Sequence, residues 1–184
     1  MDGSHHDWFE GRRDWAVLMV MIDDATNWTA ARFFESESTE AAMTTMTMVR
    51  EYLLEHGLPR AAYVERDSIY RVSRDATADE ALAGKTAVSQ FGRAMRELGV
   101  ELVCAHSPQA KGRVERRNGI LQDRLVKALR LKGISTLEEA NAYLAKRYLR
   151  EFNEQFEVKA ANSANVHRRL PQGTDLGLVL SIQE

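Results

Sequence analysis

Eight consecutive apolar residues, WAVLMVMI at 15–22, constrain this chain more than any other stretch in it. A run this short falls well below the roughly 20 residues needed to span a bilayer as a helix. A short apolar run without polar alternation suits a strand covered on both faces, so WAVLMVMID reads as a buried strand. TAARFFE (29–35), after the turn-like DDATN, reads as a second strand linked to it by a hairpin. Ahead of both, HDWFEGRRD is aromatic and then reaches Gly11, which predicts one more strand ending in a turn. The chain therefore opens as a three-strand meander.

The hydrophobic period then changes. From Ser38 onward Ala42, Met46, Val49 and Leu53 recur at helical spacing, and this helix stops at HGLP, where Gly57 and Pro59 end it. AAYVE (61–65) predicts a short strand and RDSIYRVSRDATA a loop. DEALAGKTAVSQFGRAMRELG predicts a second helix, and VELVCA (100–105) another strand. A long helix follows from about 112 to 132, with Val114, Asn118, Leu121, Leu125 and Leu129 on one face. A last one, from about 136 to 153, carries Leu137, Ala140, Leu144, Tyr148 and Phe152. The order β-β-β-α-β-α-β-α-α predicts an α/β fold in which three antiparallel strands and later strand-helix units form a five-stranded mixed sheet flanked by helices. Residues 1–153 are expected to form this core, with 154–184 as a C-terminal extension too short for an independent domain.

Composition narrows the class without deciding it. At 44% hydrophobic and 28% charged residues, disorder is excluded, and 184 residues suffice to bury roughly 70% of the unfolded surface. The one cysteine, Cys104, can form neither an internal disulfide nor a cysteine-based zinc site, which favours a reducing, cytoplasmic setting. Its expected role is that of a small hydrophobe in a strand. The formal net charge is -2, yet the charge is unevenly spread. Between 111 and 132 eight basic residues stand against two acids, Glu115 and Asp123. Such a segment is a candidate phosphate-facing surface.

Three acids fall where this order of elements brings strand ends together: Asp2 on the first strand, Glu65 ending the fourth and Glu115 opening the long helix. Carboxylates that converge repel unless a cation sits between them, and hard oxygen ligands suit Mg²⁺ or Mn²⁺. Two such ions would make a phosphodiester site, with Lys111, Arg113, Arg116, Arg117, Arg124 and Lys127 meeting the phosphates of a nucleic acid. Asp23 and Asp24, at a turn, are expected to serve conformation, and His5 and His6 are not read as a zinc pair.

The segments DGSHHDWFEGR, IDDAT, YVERDSIYR, SPQAKGRVERRN, FNEQF and HRRLP, in this order, resemble the integrase catalytic domains of bacterial insertion-sequence transposases of the ISNCY-like kind. More distantly they resemble retroviral integrases. The resemblance implies a ribonuclease H-like fold and a D-D-E triad of Asp2, Glu65 and Glu115 that cuts and joins DNA. It also implies a homo-oligomer acting on transposon ends and target. The family's second acid is an aspartate, where this chain has Glu65; Asp67, two residues on, is the alternative ligand. Because Asp2 stands at the start and no helix-turn-helix precedes it, an excised core or degraded gene product is expected. The runner-up reading is a remnant that binds DNA or dimerises without cutting. A further one is a nuclease of the same fold that hydrolyses without joining.

Overall fold

The computed structural model describes residues 1–36, 39–64, 70, 88–104, 108–162 and 164–183, with side chains for all of these except 39–44 and 108–111. Glu65, Asp67 and, Tyr70 apart, the predicted loop that follows lie outside the described residues, as does the start of the predicted second helix. The chain separates into two compact units, 1–37 with 106–165, and 38–105 with 166–184.

In the first unit, β1 (Asp2–His6), β2 (Ala16–Ile22) and β3 (Thr29–Phe34) pair antiparallel in the order β1-β2-β3. The meander is as expected, but its first strand is DGSHH and not HDWFEGRRD. Residues 7–14 instead form the connection, because Glu10 and Gly11 take left-handed φ values of 51° and 72°, which extended backbone cannot contain. The aromatic residues that suggested a strand are buried from this turn: Trp8 and Phe9 both lie against Phe33, at ring centroid distances of 5.6 and 5.4 Å. The Trp8 indole N–H donates to the Ser4 carbonyl at 3.0 Å.

Register aligns Asp2 with Val20 and Val20 with Ala31, and Ser4 with Leu18 and Leu18 with Phe33. Side chains of directly paired residues share a face, so Asp2 and Ser4 stand beside the apolar residues on which the core is built. Val17 and Met19, which alternate with them, are buried too, as an uninterrupted apolar run requires. The β2–β3 turn is organised by Asp23, whose carboxylate accepts from the Ala25 N–H at 3.0 Å and the Thr26 hydroxyl at 2.9 Å. Asp23 thus serves the turn, as anticipated.

The long helix, α3 (Pro108–Leu131), buries Val114, Asn118, Leu121, Leu125 and Leu129, the face predicted from spacing. It ends in a left-handed Gly133, and the Ile134 N–H returns to the Leu129 carbonyl at 3.0 Å. The predicted last helix is present without a break but is not α-helical throughout. It runs as α4 (Leu137–Tyr143), a π-helical turn (Leu144–Tyr148) and α5 (Leu149–Phe156).

In the second unit, α1 (Thr39–His56) leads to β4 (Ala61–Val64), which pairs parallel with β5 (Glu101–Cys104). Between them α2 (Gln90–Glu97) is capped by the Ser89 hydroxyl accepting from the Gly92 N–H. Cys104 is a half-buried free thiol. The tail returns here before a short α6 (Leu176–Val179). Leu58 and Arg168 exchange both backbone hydrogen bonds at 2.8 Å, and the Arg168 guanidinium donates to the Gly99 carbonyl at 2.7 Å. Gly57 is required at this contact: its φ is +89°, and a Cβ there would meet the Arg168 carbonyl oxygen at 2.8 Å. HGLP and HRRLP are therefore the two halves of one clasp. Among the described residues no helix is long and apolar enough to cross a membrane.

Candidate functional site

Residues on α3 advance by about 100° each, so a stretch of charged and polar residues is sorted around its axis. Next to the buried stripe, on one flank, stand Asn118 and Gln122, four residues apart. They face Asp2 and Ser4, two residues apart on β1. Four helical residues rise about 6 Å and two strand residues about 6.7 Å, so the two pairs fall into step. The Asn118 amide donates to Asp2 Oδ2 at 2.9 Å, and the Gln122 amide donates to Ser4 Oγ at 3.0 Å. Asp2, Ser4 and Asn118 are all buried. The Asn118 carbonyl oxygen, Oδ1, is also buried, without a hydrogen-bond partner among the described residues.

Glu115 lies three residues before Asn118, one turn toward the start of α3 and about 60° around it, and its side chain is exposed. Two of the three predicted acids are thus carried by adjoining elements: Asp2 is held by a residue one turn from Glu115. The third, Glu65, lies outside the described residues, so the triad as a whole is not displayed. Among the described residues no three His, Cys, Asp or Glu side chains gather into a metal-holding group.

The basic run divides between two stripes. Arg113, Arg117 and Arg124 fall within about 40° of one another on the flank opposite Asn118. Arg113 pairs with Asp24, Nε to Oδ1 at 2.8 Å, and also donates to the Asp24 carbonyl. Arg117 departs from the expected phosphate-facing row, for it is only 5% exposed. Its Cζ lies 5.1 Å from the Phe152 ring centroid and 5.5 Å from that of Phe156, and Nη2 donates to the Asn27 carbonyl at 3.3 Å. Burial pulls this guanidinium below its ordinary pKa. Ring faces supply the negative potential that a carboxylate would otherwise give. Arg124 lies over Phe156 at 4.9 Å and donates to Gln155. The stripe borders the core, where Arg117 is buried while Arg113 and Arg124 stay exposed beside their partners.

Arg116 and Lys127 belong to the outward stripe and are exposed. Lys127 pairs with Asp123, and this partner holds the Asp123 carboxyl below the usual range. The Lys111 side chain lies outside the described residues.

Over 176 residues, 95% of this chain, the sequence is 44% identical to the protein named "Putative transposase y4bF" of Sinorhizobium fredii. Over 183 residues it is 34% identical to the transposase for insertion sequence IS1202 of Streptococcus pneumoniae. A chain of the simian T-cell lymphotropic virus intasome, solved by cryo-EM with PP2A regulatory subunit B56 gamma, matches 78% of this chain with a TM-score of 0.53 at 18% identity, a likeness of fold. This chain is an integrase/transposase-type domain.

The domain spans 36% and 37% of the lengths of the two curated relatives, and 44% of the intasome chain. No protein-family model matches it. In this transposase-type domain the segment SPQAKGRVERRN is seen to carry more than its acid. Asn118, three residues after Glu115, positions Asp2, a role that a polar residue inside an otherwise apolar helix face could have signalled. Gln122 on Ser4 had no such signal, since its position borders the face.

Proposed function

We propose that this domain is the catalytic core of a transposase, cutting and joining DNA with Asp2, Glu65 and Glu115 as its carboxylates. The observation that supports it most is Asp2, buried on β1 and held by Asn118 one turn from Glu115, in a chain 44% identical to a protein named as a transposase. The reading carries with it a ribonuclease H-like sheet of five strands, to which β1–β3 and β4–β5 would contribute, and assembly of several copies on DNA ends.

The donor set fits a hard divalent ion. It is all oxygen, and the unpartnered Asn118 Oδ1 adds one more on the amide that holds Asp2. Mg²⁺ or Mn²⁺ there would activate a water or a 3′-hydroxyl and steady the leaving oxygen. Asp2 and Glu115, with Glu65, would hold the ions. Asn118 fixes the Asp2 carboxylate without cancelling its charge. Arg116 and Lys127, exposed on the outward stripe of α3, would meet phosphate, giving binding that weakens with salt and shows little sequence preference.

A second reading, a remnant that binds DNA without cutting it, draws on one residue. Glu65 reaches further than an aspartate by about 1.5 Å, one C–C bond. A misplacement of about 1 Å can cost on the order of 100-fold in rate. Plasmid nicking in Mg²⁺ and in Mn²⁺ separates the readings. Nicking is expected to be stronger in Mn²⁺, to rise in Mg²⁺ with Glu65→Asp, and to vanish when Glu115→Gln is added. Absence of nicking in every variant, with DNA binding intact, would establish the remnant. Loss of residual nicking with Asp67→Asn, and none gained with Glu65→Asp, would move the second ligand to Asp67.

A further inference from the structure

β3 pairs with β2 on one side, which leaves its other edge to be dealt with. Thr29 and Phe33, four residues apart, present their backbone N–H and C=O to that edge. At Phe33 the Asn141 side chain accepts from the N–H at 2.8 Å and donates to the carbonyl at 3.0 Å. At Thr29 the Asn153 side chain does the same, at 2.9 Å for both bonds. Each primary amide thus imitates one residue of a neighbouring strand, and two of them close the edge at two points.

The spacing of these asparagines is wrong for an α-helix. Twelve residues at about 100° each would set Asn141 and Asn153 about 120° apart, on different faces. The π turn lies between them, and in it the Leu149 N–H donates to the Leu144 carbonyl, five residues back and not four. Such a turn takes up one extra residue. The remaining twist is that of eleven residues, which leaves the two side chains within about 20° of each other. The same register delivers Phe152 and Phe156 to Arg117, two residues from Glu115.

We infer that the π turn is a register device: it absorbs one of the twelve residues between Asn141 and Asn153, so that one helical segment closes the open edge of β3 and denies it to a second chain. An exposed strand edge is a template for pairing with another copy, and assembly of copies must then use another surface. The inference does not depend on the proposed chemistry.

Residue-resolved amide exchange and sedimentation on the full chain test it in four forms: wild type, deletion of Ala145, insertion of one alanine after Ala145, and Asn141→Ala with Asn153→Ala. Ala145 is exposed within the π turn. The deletion leaves eleven residues of plain α-helix, so the Thr29 and Phe33 amides are expected to stay as protected as in the wild type. The insertion adds about 100° of twist and should speed exchange at Thr29 or Phe33 by about tenfold or more, the loss of a hydrogen bond worth roughly 1.4 kcal/mol. The double alanine variant should speed both and self-associate increasingly with concentration. A deletion that loses protection at either amide overturns the inference. So does a double variant that keeps both amides protected or stays in the wild-type association state.

Discussion

On its β1 flank α3 meets the sheet through two neutral amides, Asn118 on Asp2 and Gln122 on Ser4, whereas on the opposite flank it meets the β2–β3 loop and α5 through three guanidiniums. The difference concerns where charge is cancelled. An arginine at 118 would bring a positive charge to Asp2, while an amide donates to the same oxygen without adding one. Arg117 is buried as deeply as Asp2 but rests on aromatic rings and a carbonyl, away from the acids. One flank carries a buried acid on a neutral amide, and the other sets its cations on rings, carbonyls and a carboxylate.

The comparison is broken most severely at Arg117. Arg117→Ala empties the space beside Phe152 and Phe156 and is expected to cost about 2–4 kcal/mol, read by urea unfolding. Arg117→Met, which refills the volume without a buried charge, should cost less than about 1 kcal/mol. Equal costs for the two would mean that charge and not packing holds this flank. On the other side, Asn118→Leu strips a buried carboxylate of a donor and should cost about 1–3 kcal/mol. Gln122→Leu, at a half-buried neutral pair, should cost under about 1 kcal/mol. If Gln122→Leu were the more damaging, the register of α3 on β1 would rest on Ser4 and not on Asp2.

The smallest effect belongs to the outward stripe. Asp123 is fully exposed and its carboxyl is held low by Lys127. Its contribution is complete above the ordinary carboxylate value of about 4 and is lost as pH falls through the lower folded value. Asp123→Asn should therefore melt with the wild type at pH 2 and differ slightly, if measurably, near neutral pH. A difference at pH 2 would show that the side chain does something besides pairing.

How much of this was legible in the sequence varies with the residue. The core face of α3 was readable because Leu121, Leu125 and Leu129 repeat at helical spacing. Asp2 and Glu115 stood out by motif. Trp8 and Phe9 misled, since aromatic residues favour strands but also bury well from turns. Arg117 misled as one of a run of bases, although its angle beside Val114 and Leu121 could have told it from Arg116. The π turn left no trace: one residue too many alters neither composition nor period, and it places Asn141 and Asn153 on different faces of any helical wheel. Glu65 remains known by sequence alone.

The central claim is that Asp2 and Glu115, on adjoining elements, hold a divalent cation. Mn²⁺ binding followed by electron paramagnetic resonance, on the full chain and on Asp2→Asn, Glu115→Gln and Asp123→Asn, tests it without requiring turnover. The account predicts that the wild type binds, that Asp2→Asn and Glu115→Gln each weaken binding at least about tenfold, a loss of roughly 1.4 kcal/mol, and that Asp123→Asn, which removes an acid from the same helix, binds as the wild type does. Wild-type affinity in Glu115→Gln would contradict it.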